Sequence, residues 1–143
     1  MAGFAYLDLP EPTRLPRILD GIGVLVVDDD ADTADLFATA LSACGAEVVP
    51  ATSARQALGV LGERALDVVV TDIAMPGGDG YWLLGEIRGS ADERMRALPV
   101  LAATAFGRTH SRGRTLAAGF TDHLEKPVDP EVLCRAVARA IGR

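Results

Sequence analysis

Cysteine is scarce. Two residues, Cys44 and Cys134, stand far apart among 143, each inside an amphipathic stretch; that fits reduced core thiols better than a disulfide framework or a metal site. Long apolar runs are absent, since nothing approaches the roughly 18 residues that cross a bilayer. The N-terminus carries Asp8 and Glu11 instead of a basic leader followed by an apolar stretch. No membrane contact and a cytoplasmic location are expected. Positive charge is in deficit, with 14 Lys and Arg against 20 Asp and Glu and a net charge of -6, so direct binding of nucleic acid is disfavoured. The pattern G-x-x-x-x-G-K followed by Ser or Thr is missing, and Gly21-Ile22-Gly23 precedes the first strand instead of following it. Both facts argue against a nucleotide-binding α/β protein.

What is present is one domain's length of chain, 49% hydrophobic, enough for a single core. Residues 1–21, with Pro10, Pro12 and Pro16 and no sustained periodicity, read as an extended leader or linker. Residues 22–143 alternate short β-branched runs with longer amphipathic ones, the pattern of an α/β fold with a parallel sheet and helices on both faces. The expected strands are Val24 to Val27, Glu47 to Val49, Leu66 to Thr71, Pro99 to Ala103 and His123 to Glu125. Helical spacing of Leu36, Phe37, Ala40, Leu41 and Cys44 predicts a first helix stopped at Gly45. Ser53 and Gln56 form a capping-box pattern for a second helix. A loop with Pro76 and Gly77-Gly78-Asp79-Gly80 precedes a third helix from Tyr81 to Arg88, and a weaker fourth runs from Thr109 to Ala118. Asp129-Pro130 caps a last helix with a stripe of Val132, Leu133, Ala136, Val137, Ala140 and Ile141.

The informative residues sit where strands end. Asp28, Asp29 and Asp30 follow the first strand and Asp72 closes the third, so parallel neighbours would bring their carboxylates to the C-terminal edge of the sheet, where α/β folds bind ligands. Crowded carboxylates repel and raise one another's pKa unless a cation joins them. With oxygen ligands only, a hard ion such as Mg2+ is favoured. Taken alone, the Asp run reads more simply as a helix cap. Thr104 at the end of the fourth strand and Lys126 at the end of the fifth change that balance. A carboxylate nucleophile, a divalent ion, a hydroxyl donor and a fixed cation are what phosphoryl transfer to an aspartate needs.

The blocks VLVVDDD, DVVVTDIAMPGGDG, PVLAATAFG and HLEKPVDP resemble, in order and approximate spacing, those of response-regulator receiver domains of two-component signalling. The resemblance covers Ile22 to Arg143 and implies a single-domain flavodoxin-like (βα)5 three-layer sandwich with sheet order 2-1-3-4-5. It implies Asp72 as phosphoacceptor, Mg2+ held by Asp29, Asp72 and the Ala74 backbone carbonyl, and Asp28 completing the acidic pocket through water. Thr104 and Lys126 would each hold a phosphoryl oxygen, and Pro127 would follow a cis bond in many relatives. A signalling switch is implied, not an enzyme in the ordinary sense. Its partners would be a sensor histidine kinase or phosphotransfer protein, a downstream protein target, and a second copy through the face of the fourth helix, fifth strand and last helix. It would serve as a stand-alone regulator or as the receiver part of a hybrid kinase.

One position departs from the family pattern: the switch site three residues before the lysine, commonly Tyr or Phe, is His123, an imidazole that titrates near neutrality. Ala105, next to Thr104, is small, as a moving switch side chain requires. Asp30 adds a charge that reads as solvated. A haloacid-dehalogenase-like phosphohydrolase is the rival from another class, but it needs a second Asp two residues after the nucleophile, where Ala74 stands. A phosphorylation-independent interaction module is the third reading, and the complete acidic constellation weighs against it.

Overall fold

A computed structural model describes residues 16–75, 79–105 and 111–143. Residues 1–15 of the expected leader, Pro76, Gly77 and Gly78 of the expected loop, and the expected helix start at Thr109 lie outside the described residues. The strands are β1 (Gly23–Val27), β2 (Glu47–Ala51), β3 (Val68–Asp72), β4 (Val100–Ala105) and β5 (Asp122–Lys126). The helices are α1 (Ala31–Ala43), α2 (Ala54–Glu63), α3 (Gly80–Arg88), a single turn α4 (Glu93–Arg96), α5 (Arg112–Ala118) and α6 (Pro130–Ala140). All strand pairs are parallel, in the order β2-β1-β3-β4-β5. This is the order expected from the sequence resemblance.

Strands buried on both faces divide their side chains by period two. Val24, Val26, Val68, Val70, Leu101, Ala103 and Leu124 face a layer made with α1 and α6, around Phe37, Leu41, Leu133 and Val137. Leu25, Val27, Val69, Val100 and Ala102 face the opposite layer, around Leu61, Leu83 and Ile87 of α2 and α3. The core reaches upstream of Ile22, because Leu19 is fully buried and its N–H donates to the Cys44 carbonyl at 2.9 Å.

The helix limits follow local chemistry. Asp30, Ser53, Asp79, Asp92, Ser111 and Asp129 all accept a hydrogen bond from the first turn of the helix they precede, each such cap contributing about 1 kcal/mol. The capping box at α2 is extended, since Gln56 returns its side-chain oxygen to the Thr52 N–H at 2.7 Å and not to Ser53. Gly45 ends α1 with φ +98, and a Cβ there would run into Asp20. The thiols of Cys44 and Cys134 are both buried, and burial, then the neighbouring Cys44, pushes the Cys134 thiol well up from its ordinary value.

Two features have no counterpart in the sequence reading. The turn α4 lacks a buried face, so no apolar stripe announces it. Arg88 leaves the end of α3 and donates to the carbonyls of Arg96, Leu98 and Gly119 at 3.1, 2.6 and 3.1 Å, tying α3 to the entries of β4 and β5.

Candidate functional site

Alternation along three strands explains why the site forms. The residues facing the α1–α6 layer are Val24 and Val26, Val68 and Val70, and Leu124. Continuing each series by two places Asp28, Asp72 and Lys126 on that same face at the C-terminal edge. The ladders set their heights, with Val27 opposite Thr71, Asp72 opposite Ala103, and Ala105 opposite Lys126. The strands run slightly further than the sequence suggests, so Asp72, Thr104 and Lys126 lie within β3, β4 and β5 and not just past them.

Carboxylate oxygens of Asp28, Asp29 and Asp72 all lie within 4.8 Å of one another. Asp28 is 2% exposed, Asp29 is open to solvent and Asp72 lies between. Lys126 Nζ donates to Asp28 Oδ2 at 2.7 Å and stands 3.5 Å from Asp72 Oδ2. The other Asp28 oxygen, Oδ1, accepts from the Asp30 N–H at 2.9 Å, so the buried carboxylate is held from both sides. The resemblance led us to expect Lys126 on a phosphoryl oxygen and Asp28 reaching the cation through water; here the two contact each other directly. Three oxygen donors with one open to solvent form a set that fits a hard divalent cation keeping some of its waters.

Burial is the chief cause that raises the Asp72 carboxyl above its ordinary value, with Asp28 adding to it and Lys126 acting against it. Such a group binds more protons folded than unfolded in the interval above its unfolded pKa. Stability therefore falls as pH rises through that interval, and ionised Asp72 is a cost at neutral pH. A proton or a divalent cation relieves it.

The remaining predicted residues are distributed around this cluster. Thr104, 4% exposed, continues the Val100 and Ala102 series on the α2–α3 side at the same edge. Ala105 is exposed beside Lys126 in the ladder. Ala74 is exposed two residues past Asp72. The Lys126-Pro127 bond is cis. Asp30 is not merely solvated: it caps α1 and accepts from Thr33 Oγ1 at 2.8 Å, a bond that lowers its pKa. His123 stands apart from the acidic cluster, opposite Ala102. Its Nδ1 is hydrogen-bonded to Thr115 Oγ1 of α5 at 2.8 Å, while Arg112 donates to its carbonyl at 3.1 Å and pairs with Asp122 at 2.9 Å. Sequence reasoning missed this fastening of α5 to β5, because Thr115 and Arg112 carry no motif.

A family model described as the response regulator receiver domain matches residues 24–138. An uncharacterized 14.6 kDa protein of Leptolyngbya boryana is 43% identical over 121 residues, covering 85% of this chain and 91% of that protein. The response regulator protein FleR of Pseudomonas aeruginosa is 39% identical over 121 residues, 84% of this chain, which spans only 25% of the length of FleR. Among solved structures, the receiver domain of NtrX from Brucella abortus superposes with a TM-score of 0.74 at 34% identity, covering 82% of this chain and 97% of that one.

Proposed function

This chain belongs to the response regulator receiver domain family, and we propose accordingly that Asp72 accepts a phosphoryl group from a phosphohistidine of a sensor histidine kinase or phosphotransfer protein. An Asp72 carboxylate oxygen attacks phosphorus in line, the P–N bond breaks, and the imidazole leaves with its electron pair. The observation that carries this reading is the position of Lys126 Nζ, 2.7 Å from Asp28 and 3.5 Å from Asp72, beside three carboxylates. Mg2+ held by Asp28, Asp29, Asp72 and the Ala74 carbonyl would supply the charge neutralisation that lets an anionic phosphoryl group enter an acidic pocket.

The protein's own groups position and neutralise. The Lys126 ammonium leaves Asp28 for a phosphoryl oxygen, and the Thr104 hydroxyl takes another. That inward movement frees space beside Ala105, and His123 answers by giving up Thr115, which releases α5 from β5. The altered face of α5, β5 and α6 then meets a downstream protein or a second copy of the chain. The switching domain would begin upstream of residue 22, since Leu19 belongs to its core, with the residues before it a leader or linker and the protein working in the cytoplasm alone or within a hybrid kinase. Among the described residues no helix is long and apolar enough to cross a membrane.

Acetyl phosphate is the test. Intact mass should rise by one phosphoryl group in the presence of Mg2+ and not after chelation, and an adduct indifferent to chelation would count against the mechanism. A second measurement uses stability. Mg2+ at ten times its Kd should add about 1.4 kcal/mol, read by calorimetry at pH 7, and the gain should shrink as pH falls and Asp72 takes up its proton. An unmoved transition at pH 7 would remove the cation from the scheme.

A further inference from the structure

The strongest unassigned contact lies directly behind the acceptor. Asp72 is one residue past the last β1–β3 pair, Val27 with Thr71, so its carbonyl lies beyond that ladder. Thr71 Oγ1 donates to this carbonyl at 2.8 Å. Thr71 is fully buried, and alternation sets it with Val69 on the side of the sheet covered by α2 and α3. The same peptide is walled from the next helix: the Gly80 N–H donates to the Ile73 carbonyl at 2.8 Å, and a Cβ on Gly80 would stand 2.5 Å from the Asp72 oxygen and 3.0 Å from the Ile73 Cα. The carbonyl end of the Asp72–Ile73 peptide is bonded directly to the Cα that carries the acceptor carboxylate. One planar unit next to the reacting side chain therefore has its carbonyl held by Thr71, and planarity makes its two ends turn together.

We infer that Thr71 is a positioning residue for phosphoryl transfer, its hydroxyl fixing the rotation of the Asp72–Ile73 peptide and hence the aim of the Asp72 carboxylate. This rests on Asp72 being the acceptor. Thr hydroxyls that donate to a nearby carbonyl are usual inside helices, as back-bonds to the preceding turn; at a strand end beneath a nucleophile such a bond serves as a second layer of support. Sequence reading takes Thr71 for an ordinary β-branched strand residue, which hides the role.

The experiment compares Thr71→Val, which keeps the shape and removes the hydroxyl, with Thr71→Ser, which keeps the hydroxyl and leaves a methyl-sized void. Phosphorylation of the full chain by acetyl phosphate is followed at saturating donor and Mg2+. The Val protein should be slower by about fivefold to tenfold, a loss that sub-ångström misplacement of a reacting group can cause, with half-saturating acetyl phosphate unchanged. The Ser protein should stay within about twofold of wild type. A packing role predicts the reverse order, with Val near wild type and Ser impaired, and that result overturns the inference. Should the Val protein not fold, Thr71→Ala replaces it in the same comparison with Ser. An unphosphorylated wild type would instead sink the receiver reading itself, and that arm is scored first.

Discussion

Asp72→Asn protein should take up less than about 1% of the phosphoryl group that wild type accepts, because an amide oxygen is not a nucleophile at neutral pH and the neighbouring Asp28 carboxylate is engaged by Lys126 and the Asp30 N–H. The same variant should melt at a higher temperature than wild type. It removes one of three carboxylates whose oxygens lie within 4.8 Å, and burial disfavours its charged form. It should also lose most of its stabilisation by Mg2+. The paired outcome matters, since general damage would lower phosphorylation and stability together. Label retained on the Asn protein would move the acceptor elsewhere; equal melting of the two proteins would mean the carboxylates do not repel as their spacing implies.

Lys126→Ala should be the most destabilising change in the site. Lys126 donates to Asp28, whose side chain is 2% exposed, and removing one member of a buried pair leaves an uncompensated charge at a cost of about 3–5 kcal/mol. The cost falls at the lower end here, since the Asp30 N–H still serves Asp28, and Mg2+ should recover part of it. Denaturant melts with and without Mg2+ measure both quantities. Phosphorylation should slow by about a hundredfold, the scale for losing one electrostatic contact to a transferring group. Any acyl phosphate that forms should leave amide resonances of α5, β5 and α6 unshifted. Lys126→Arg should not restore the wild-type shifts, since a planar guanidinium cannot take the place of a compact ammonium between two carboxylates. Normal shifts in the Ala protein would release the lysine from its assigned role.

Much of this was legible in the residues. Continuous runs such as Val24 to Val27 read as central strands because burial on both faces demands them, and Asp129-Pro130 marked the start of α6 because its chemistry is local. Strand-end placement of Asp28, Asp72, Thr104 and Lys126 followed once the strands were found. What stayed hidden depends on partners distant in sequence. The clamp of Arg88 on three carbonyls, the bond of Thr115 to His123 and the Arg112–Asp122 pair each join residues whose types are common and whose spacing is arbitrary. Pro50 was left out of β2, although β2 is an edge strand where a missing N–H is tolerated.

Asp28 and Lys126 are 98 positions apart in the chain, and the lysine sits on an edge strand that is the last to be added. During synthesis, which proceeds from the N-terminus, the acidic trio can assemble while its counter-charge has yet to leave the ribosome. On the proposed mechanism a nascent polypeptide halted before β5 would meet a donor with its pocket still lacking the one ammonium that pairs with Asp28, and that charge would arrive only with the final strand.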